Sequence, residues 1–175
     1  MKRLRLTKAE IERLLSELSL QLASMKVRGE VYLVGGAVMC LVHEARASTR
    51  DLDAYFRPAK QLRVAAANVA AKNDLPENWL NDAVKGFFSE HGTFNAYVEL
   101  DHLIVYAASP EYLLAMKCLS ARIGEEFHDI DDIRYLLRYL NLTSAAEAKT
   151  ILERYYPLDR FPQKTLYLLD EVLDR

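Results

Sequence analysis

At 175 residues and 20.0 kDa, with 51% hydrophobic and 27% charged residues, the chain has the length and composition of one globular core with a helical appendage. A net charge of −2 excludes a strongly basic nucleic-acid binder and leaves two local clusters, Lys2, Arg3, Arg5 and Lys8, and Arg46 with Arg50, to meet RNA or phosphate. The uncharged stretch 31–42 is well short of the ~20 apolar residues that span a bilayer, and the basic start lacks the apolar segment of a secretory signal, so the expected location is cytoplasmic with no membrane association.

Thr7-Lys8-Ala9-Glu10 is a capping box, in which the Thr hydroxyl and Glu carboxylate satisfy the first backbone donors of a helix. Ile11, Leu14, Leu15, Leu18 and Leu22 follow at helical spacing, predicting one apolar stripe that packs on a sheet and a helix ending near Arg28-Gly29. Residues 31–34 read as a strand, Gly35-Gly36 as a turn and 37–45 as a short helix burying Val38, Leu41 and Val42. His43 on that helix reads as a packed or surface residue rather than a ligand. A second strand follows through 51–56, and Pro58 closes it. Residues 59–72 form an alanine-rich helix, Asn73-Asp74-Leu75-Pro76 breaks it, and 79–88 is a compact amphipathic stretch. Two strands rich in aromatic and β-branched residues are expected at 94–98 and 103–106.

Ser109-Pro110-Glu111 reads as N-cap, proline at the first helical position and an acid favoured by the dipole, opening a helix that runs through Lys117 and Arg122 to Gly124. Residues 125–133 begin another helix with acids in its first turn, continued by Leu136, Leu137 and Leu140. Further helices are expected at 143–156 and 164–173, with Pro157 and Pro162 bracketing a loop. Cys40 and Cys118, far apart and without His or Cys at metal-ligand spacing, read as reduced core thiols.

The stretch with chemical content is the glycine pair and the acids after it. On an extended strand Asp51 and Asp53 point the same way while Leu52 points into the core. Two glycines after an apolar strand let the backbone turn sharply and approach a ligand, and a helix starting there offers free N–H groups to a phosphate. The paired carboxylates suit Mg²⁺, a hard cation that takes one or two carboxylates plus substrate phosphates. The run is neither GxGxxG nor a Walker A loop, and the chain has no GxSxG or HExxH.

Gly35-Gly36, the short helix, and Ser48 or Thr49 with Asp51-Leu52-Asp53 resemble the signature of the DNA polymerase beta superfamily of nucleotidyltransferases, a glycine pair followed after a spacer by [ST]-x-D-x-D. The run from Arg46 to Asp53 looks closest to a small prokaryotic branch that includes the AbiEii/MenT-type toxins, and the likeness covers roughly residues 30–140. It implies an α/β fold: a small mixed sheet of the nucleotidyltransferase type with flanking helices over residues 1–108, and a C-terminal helical bundle over 109–175 packed on that core. It also implies transfer of an NMP from an NTP such as ATP to tRNA, another RNA or a protein hydroxyl, with Mg²⁺ or Mn²⁺ held by Asp51 and Asp53. Gly35, Gly36, Ser48, Thr49 and Lys117 match the nucleotide-binding positions, Lys117 as a phosphate contact with Asp129 or Asp132 buttressing it or Arg122. A later strand in the superfamily commonly supplies a third carboxylate, for which Asp101 and Glu99 are the candidates; a solvated turn is the competing explanation of both. The branch implies a toxin of a toxin–antitoxin or phage-defence system, with a cognate antitoxin as partner. The alternative is an inactive binding protein of the same fold, such as an antitoxin or regulatory partner.

Overall fold

A computed structural model describes residues 5–121 and 129–174. The chain divides into two compact units, one built from Met1–Gly86 and Phe94–Ala108, the other from Phe87–Thr93 and Ser109–Arg175.

The first unit contains β1 (Leu6–Thr7), α1 (Lys8–Ser24), β2 (Gly29–Val34), α2 (Gly35–Leu41), β3 (Ser48–Thr49), β4 (Leu52–Arg57), α3 (Ala59–Asn73), β5 (Leu80–Asn81), β6 (Phe94–Glu99) and β7 (Leu103–Ala108). Five strands form a mixed sheet in the order β5-β4-β2-β7-β6, and β1 pairs separately with β3. Within the large sheet, β2 runs antiparallel to β4 and parallel to β7, β4 runs parallel to β5, and β6 and β7 form a hairpin. The fold is therefore mixed α/β, as its sequence pattern predicts.

Alternation decides which face of the sheet is covered. Val31 and Leu33 of β2, Leu52, Ala54 and Phe56 of β4, and Leu103, Val105 and Ala107 of β7 are buried. α1 packs on β7 and α3, and α3 on β4. The α1 stripe lies in this layer, with Ile11, Leu14, Leu15, Leu18 and Leu22 at 1% exposure or less. Burying each such side chain is worth about 1.5–3 kcal/mol relative to leaving it in water, so the stripe alone fixes α1 to its neighbours. Its N-terminus carries both halves of the expected capping box, Thr7 and Glu10. The residues between, Glu30 and Tyr32, Asp53, Tyr55 and Arg57, Ile104 and Tyr106, lie on the opposite face and are half-buried or exposed.

Three local expectations change. α1 ends at Ser24, with Met25 as its C-cap, before Arg28-Gly29. α2 stops at Leu41, so the chain leaves the helix four residues before Ala45 and reaches β3 through an irregular loop. The stretch after Pro76 is a 3-10 turn followed by β5, because Trp79 is buried and its Nε1 donates to the Ala66 carbonyl at 2.9 Å, tying the turn to α3.

The second unit holds α4 (Pro110–Ser120), α5 (Asp129–Tyr139), α6 (Ala145–Glu153) and α7 (Gln163–Leu173), with α4 packed on each of the other three. Ser109 caps α4, accepting from the Tyr112 N–H at 3.3 Å, and Ser144 caps α6, accepting from Glu147 at 3.2 Å. The segment Phe87–Thr93 joins this unit through the buried Tyr112: the Ser89 N–H donates to its hydroxyl at 2.8 Å, and a Cβ on Gly92 would fall 2.6 Å from its ring. Lys2, Arg3, Arg122 and residues 125–128 of the sequence expectations lie outside the described residues. Among the described residues no helix is long and apolar enough to cross a membrane.

Candidate functional site

The first unit gathers most of the signature at one end of its sheet. β2 ends at Val34, which lies opposite Asp53 at the start of β4. The next residue, Gly35, turns with φ +66°, a left-handed conformation that favours glycine. A Cβ on Gly35 would sit 3.5 Å from Asp53 Oδ2, placing the carboxylate directly against the turn.

The loop returning from α2 is pinned by pairing at a distance in sequence. Leu6 and Thr7 align with Thr49 and Ser48, so Thr7, the cap of α1, also pairs with β3. Thr49 is buried and donates from Oγ1 to the Asp51 carbonyl at 3.2 Å. Its hydroxyl and the Arg46 guanidinium both lie over Gly36, where a Cβ would come 3.0 Å from Thr49 Oγ1 and 2.8 Å from Arg46 Nη1. Gly35, Gly36, Thr49 and Asp53 thus share one locality, with Ser48 beside Thr49 on β3.

Asp51 precedes β4, and burial raises its pKa above the ordinary carboxylate range; Arg50 and a hydrogen bond with Asn81 pull the other way. Asn81 is set there by β5, whose parallel register places it opposite Asp53. A carboxylate whose charge is disfavoured by burial gains from a nearby cation. Two carboxylates fit a Mg²⁺ ion that completes its shell with water and substrate phosphates.

The third-carboxylate expectation is corrected. β7 is parallel to β2, so its C-terminal residue Ala108 lies at the Asp53 end, whereas Leu103 lies opposite Gly29. Asp101 occupies the β6–β7 turn beyond Leu103, at the other end of the sheet, which is about 17 Å long at ~3.3 Å per residue along β2. That turn is tied to α1, the His102 N–H donating to Ser19 Oγ at 3.0 Å. Glu99 lies at the same far end and pairs with Arg28 at 2.6 Å. Neither acid joins Asp51 and Asp53, and among the described residues no group of three or more His, Cys, Asp or Glu is placed to hold a metal.

Lys117 belongs to the second unit. Its Nζ lies 2.8 Å from Asp132 and 3.3 Å from Asp129, and all three side chains are nearly buried, Lys117 at 11% exposure. The buttressing expected of Asp129 or Asp132 is thus made by both acids, and the lysine is the centre of a buried ionic cluster.

Burial pushes the Cys118 thiol up to about 12 and raises that of Cys40, so neither is a ready nucleophile, and both are free and buried. Burial lowers the pKa of His43, favouring its neutral form near pH 7.

Two features escaped the sequence. Asn81 gave no signal, because a two-residue parallel strand has no periodicity. On the sheet face that carries Asp53, Tyr32 stacks on Tyr106 with centroids 4.7 Å apart and lies 6.0 Å from Tyr55, while Arg57 sits 5.6 Å over the Tyr32 ring and donates to Glu30 at 2.7 Å. Cross-strand pairs of this kind follow from strand alternation once the strand order is known.

No protein-family model matches the chain, and neither a curated protein nor a solved structure matches it.

Proposed function

We propose that the first unit is a nucleotidyltransferase core related to the DNA polymerase beta superfamily, which transfers an NMP from an NTP to a hydroxyl of tRNA, another RNA or a protein. The observation that carries the reading is the placement of Asp53 against Gly35, with Asp51 before the same strand and Thr49 and Arg46 over Gly36. In this reading the acceptor oxygen attacks the α-phosphorus, the bond from that phosphorus to the bridging oxygen breaks, and pyrophosphate leaves with the electron pair while the acceptor proton passes to solvent. Mg²⁺ or Mn²⁺, held by Asp51 and Asp53, would supply charge neutralisation along the phosphates and activation of the attacking hydroxyl. The chain's own contribution is positioning. Gly35 lets phosphate approach the backbone, the Arg46 guanidinium and the Thr49 hydroxyl stand over Gly36, and Asp53 is held on a paired strand rather than on a loop. Ser48, on the same short strand, takes the adjoining nucleotide-binding role.

The test incubates wild type and the Asp51→Asn, Asp53→Asn double variant with Mg²⁺, each α-labelled NTP, total RNA and total protein. Label on one acceptor class, lost in the folded double variant, supports transfer and names the acceptor. Label that persists in the variant overturns the assignment.

A second reading is favoured by one observation, the location of Asp101 and Glu99 at the far end of the sheet. With two carboxylates rather than three, the unit would bind nucleotide or a partner protein without turnover, as an antitoxin or regulatory subunit. Binding of Mg-NTP with no labelled acceptor distinguishes it.

A further inference from the structure

We infer that Arg46 is a phosphate-binding residue of this site, gripping the polyphosphate of the nucleotide while Asp51 and Asp53 face the cation. The inference rests on the nucleotidyltransferase reading and adds a residue and a division of labour to it.

Gly36 supplies the argument. Gly35 is the glycine with positive φ, so the backbone explains glycine at 35 and leaves 36 unexplained. What a side chain at 36 would meet is the Arg46 guanidinium, with Nη1 at 2.8 Å and Cζ at 3.8 Å from the Cβ position, and Thr49 Oγ1 at 3.0 Å. An arginine head occupies the space that a side chain at position 36 would need.

That head is half-buried and held at its base. Ala45 donates to the Met39 carbonyl at 3.0 Å, fixing the chain where it leaves α2, and Thr49 is paired with Leu6 three residues later. A planar guanidinium presents paired N–H donors that match two phosphate oxygens, and it is weakly hydrated, so it leaves water at lower cost than an ammonium. Beside it stand the Asp53 carboxylate, across the glycine turn, and the buried Thr49 hydroxyl, whose hydrogen goes to the Asp51 carbonyl. A metal-bound polyphosphate needs both signs of partner: acids for the cation and donors for the phosphate oxygens. Arg46 and Asp53 offer them around one glycine pair.

A purely structural arginine would stabilise the loop equally whatever the ligand, so the test reads ligand dependence. Calorimetric titrations use Mg²⁺ with an NTP analogue whose α–β bridge resists cleavage, and separately the corresponding nucleoside, against wild type, Arg46→Ala, Arg46→Lys and Gly36→Ala, each checked for folding by circular dichroism. Arg46→Ala is expected to weaken triphosphate binding roughly tenfold to hundredfold, as for loss of charge-assisted hydrogen bonds, and to leave nucleoside binding unchanged. Arg46→Lys should recover part of the loss, since a point charge replaces a fork. Gly36→Ala should weaken triphosphate binding in wild type by displacing Nη1 and add little in the Arg46→Ala background. Wild-type binding with undiminished affinity in both Arg46→Ala and Gly36→Ala overturns this inference alone. A folded wild type that binds no Mg-NTP overturns the transferase reading and this inference together.

Discussion

Each unit brings acids and a basic side chain into one region, in different surroundings. In the second unit Asp129 and Asp132 close on Lys117 at 3.3 and 2.8 Å, with all three nearly removed from water. In the first, Asp53 lies against a glycine turn, Asp51 is burdened by its own burial, and the arginine nearby sits over Gly36. A cluster whose charges satisfy one another in the interior holds helices together and has little left to offer a ligand. Acids set beside missing side chains leave room for something to approach. The residue types are alike; the space around them differs.

Asp53→Asn sharpens the contrast most. It should lower transfer at least ~10³-fold, since each tenfold corresponds to about 1.4 kcal/mol of barrier, while leaving the melting temperature within a few degrees of wild type; steady-state incorporation and a thermal melt read both. Lys117→Ala should do the reverse. Removing the cation from two buried carboxylates costs about 3–5 kcal/mol of stability, read as a lower urea midpoint, and a wild-type midpoint would break the comparison.

Asp51→Asn, measured with EDTA present, should raise the melting temperature at pH 7 and not at pH 3. Burial lifts the folded-state pKa of this acid, so above the ordinary carboxylate range the folded protein holds a charge that the unfolded chain holds more easily. Below that range the carboxyl is protonated in both states and the advantage of Asn vanishes. Each kcal/mol gained corresponds to about 2–4 °C in a chain of this size. A gain of the same size at both pH values would show that the charge is not its source. The smallest effect belongs to Glu99→Ala and Asp101→Ala. The exposed Arg28–Glu99 pair and the far turn should contribute within about 0.5 kcal/mol, and transfer should be unchanged.

Local chemistry carried the parts of this fold that the sequence foretold. The Thr7 capping box, the Ser109-Pro110 helix start, the α1 stripe, the strand β2 and the alternation in β4 are set by neighbours within a few residues, and each forms. The glycine turn and the two acids were legible for the same reason. What failed depended on strand order. Asp101 looked as available as any acid between two strands, and only the parallel pairing of β2 with β7 sends it to the wrong end. Asn81 depends on β5, and the loop bearing Arg46 depends on β3 meeting β1, both two-residue strands whose partners are distant in sequence. Arg46 was visible as a charge flanking the signature. Its place over Gly36 required the fold of α2 and the length of its own side chain.

The most direct measurement follows pyrophosphate released from each NTP in the presence of Mg²⁺ and total RNA or total protein, for wild type and Asp53→Asn. The expected result is acceptor-dependent pyrophosphate, equal to the nucleotide incorporated and abolished in the folded variant. Release of orthophosphate in place of pyrophosphate, or pyrophosphate release undiminished by Asp53→Asn, would contradict the account.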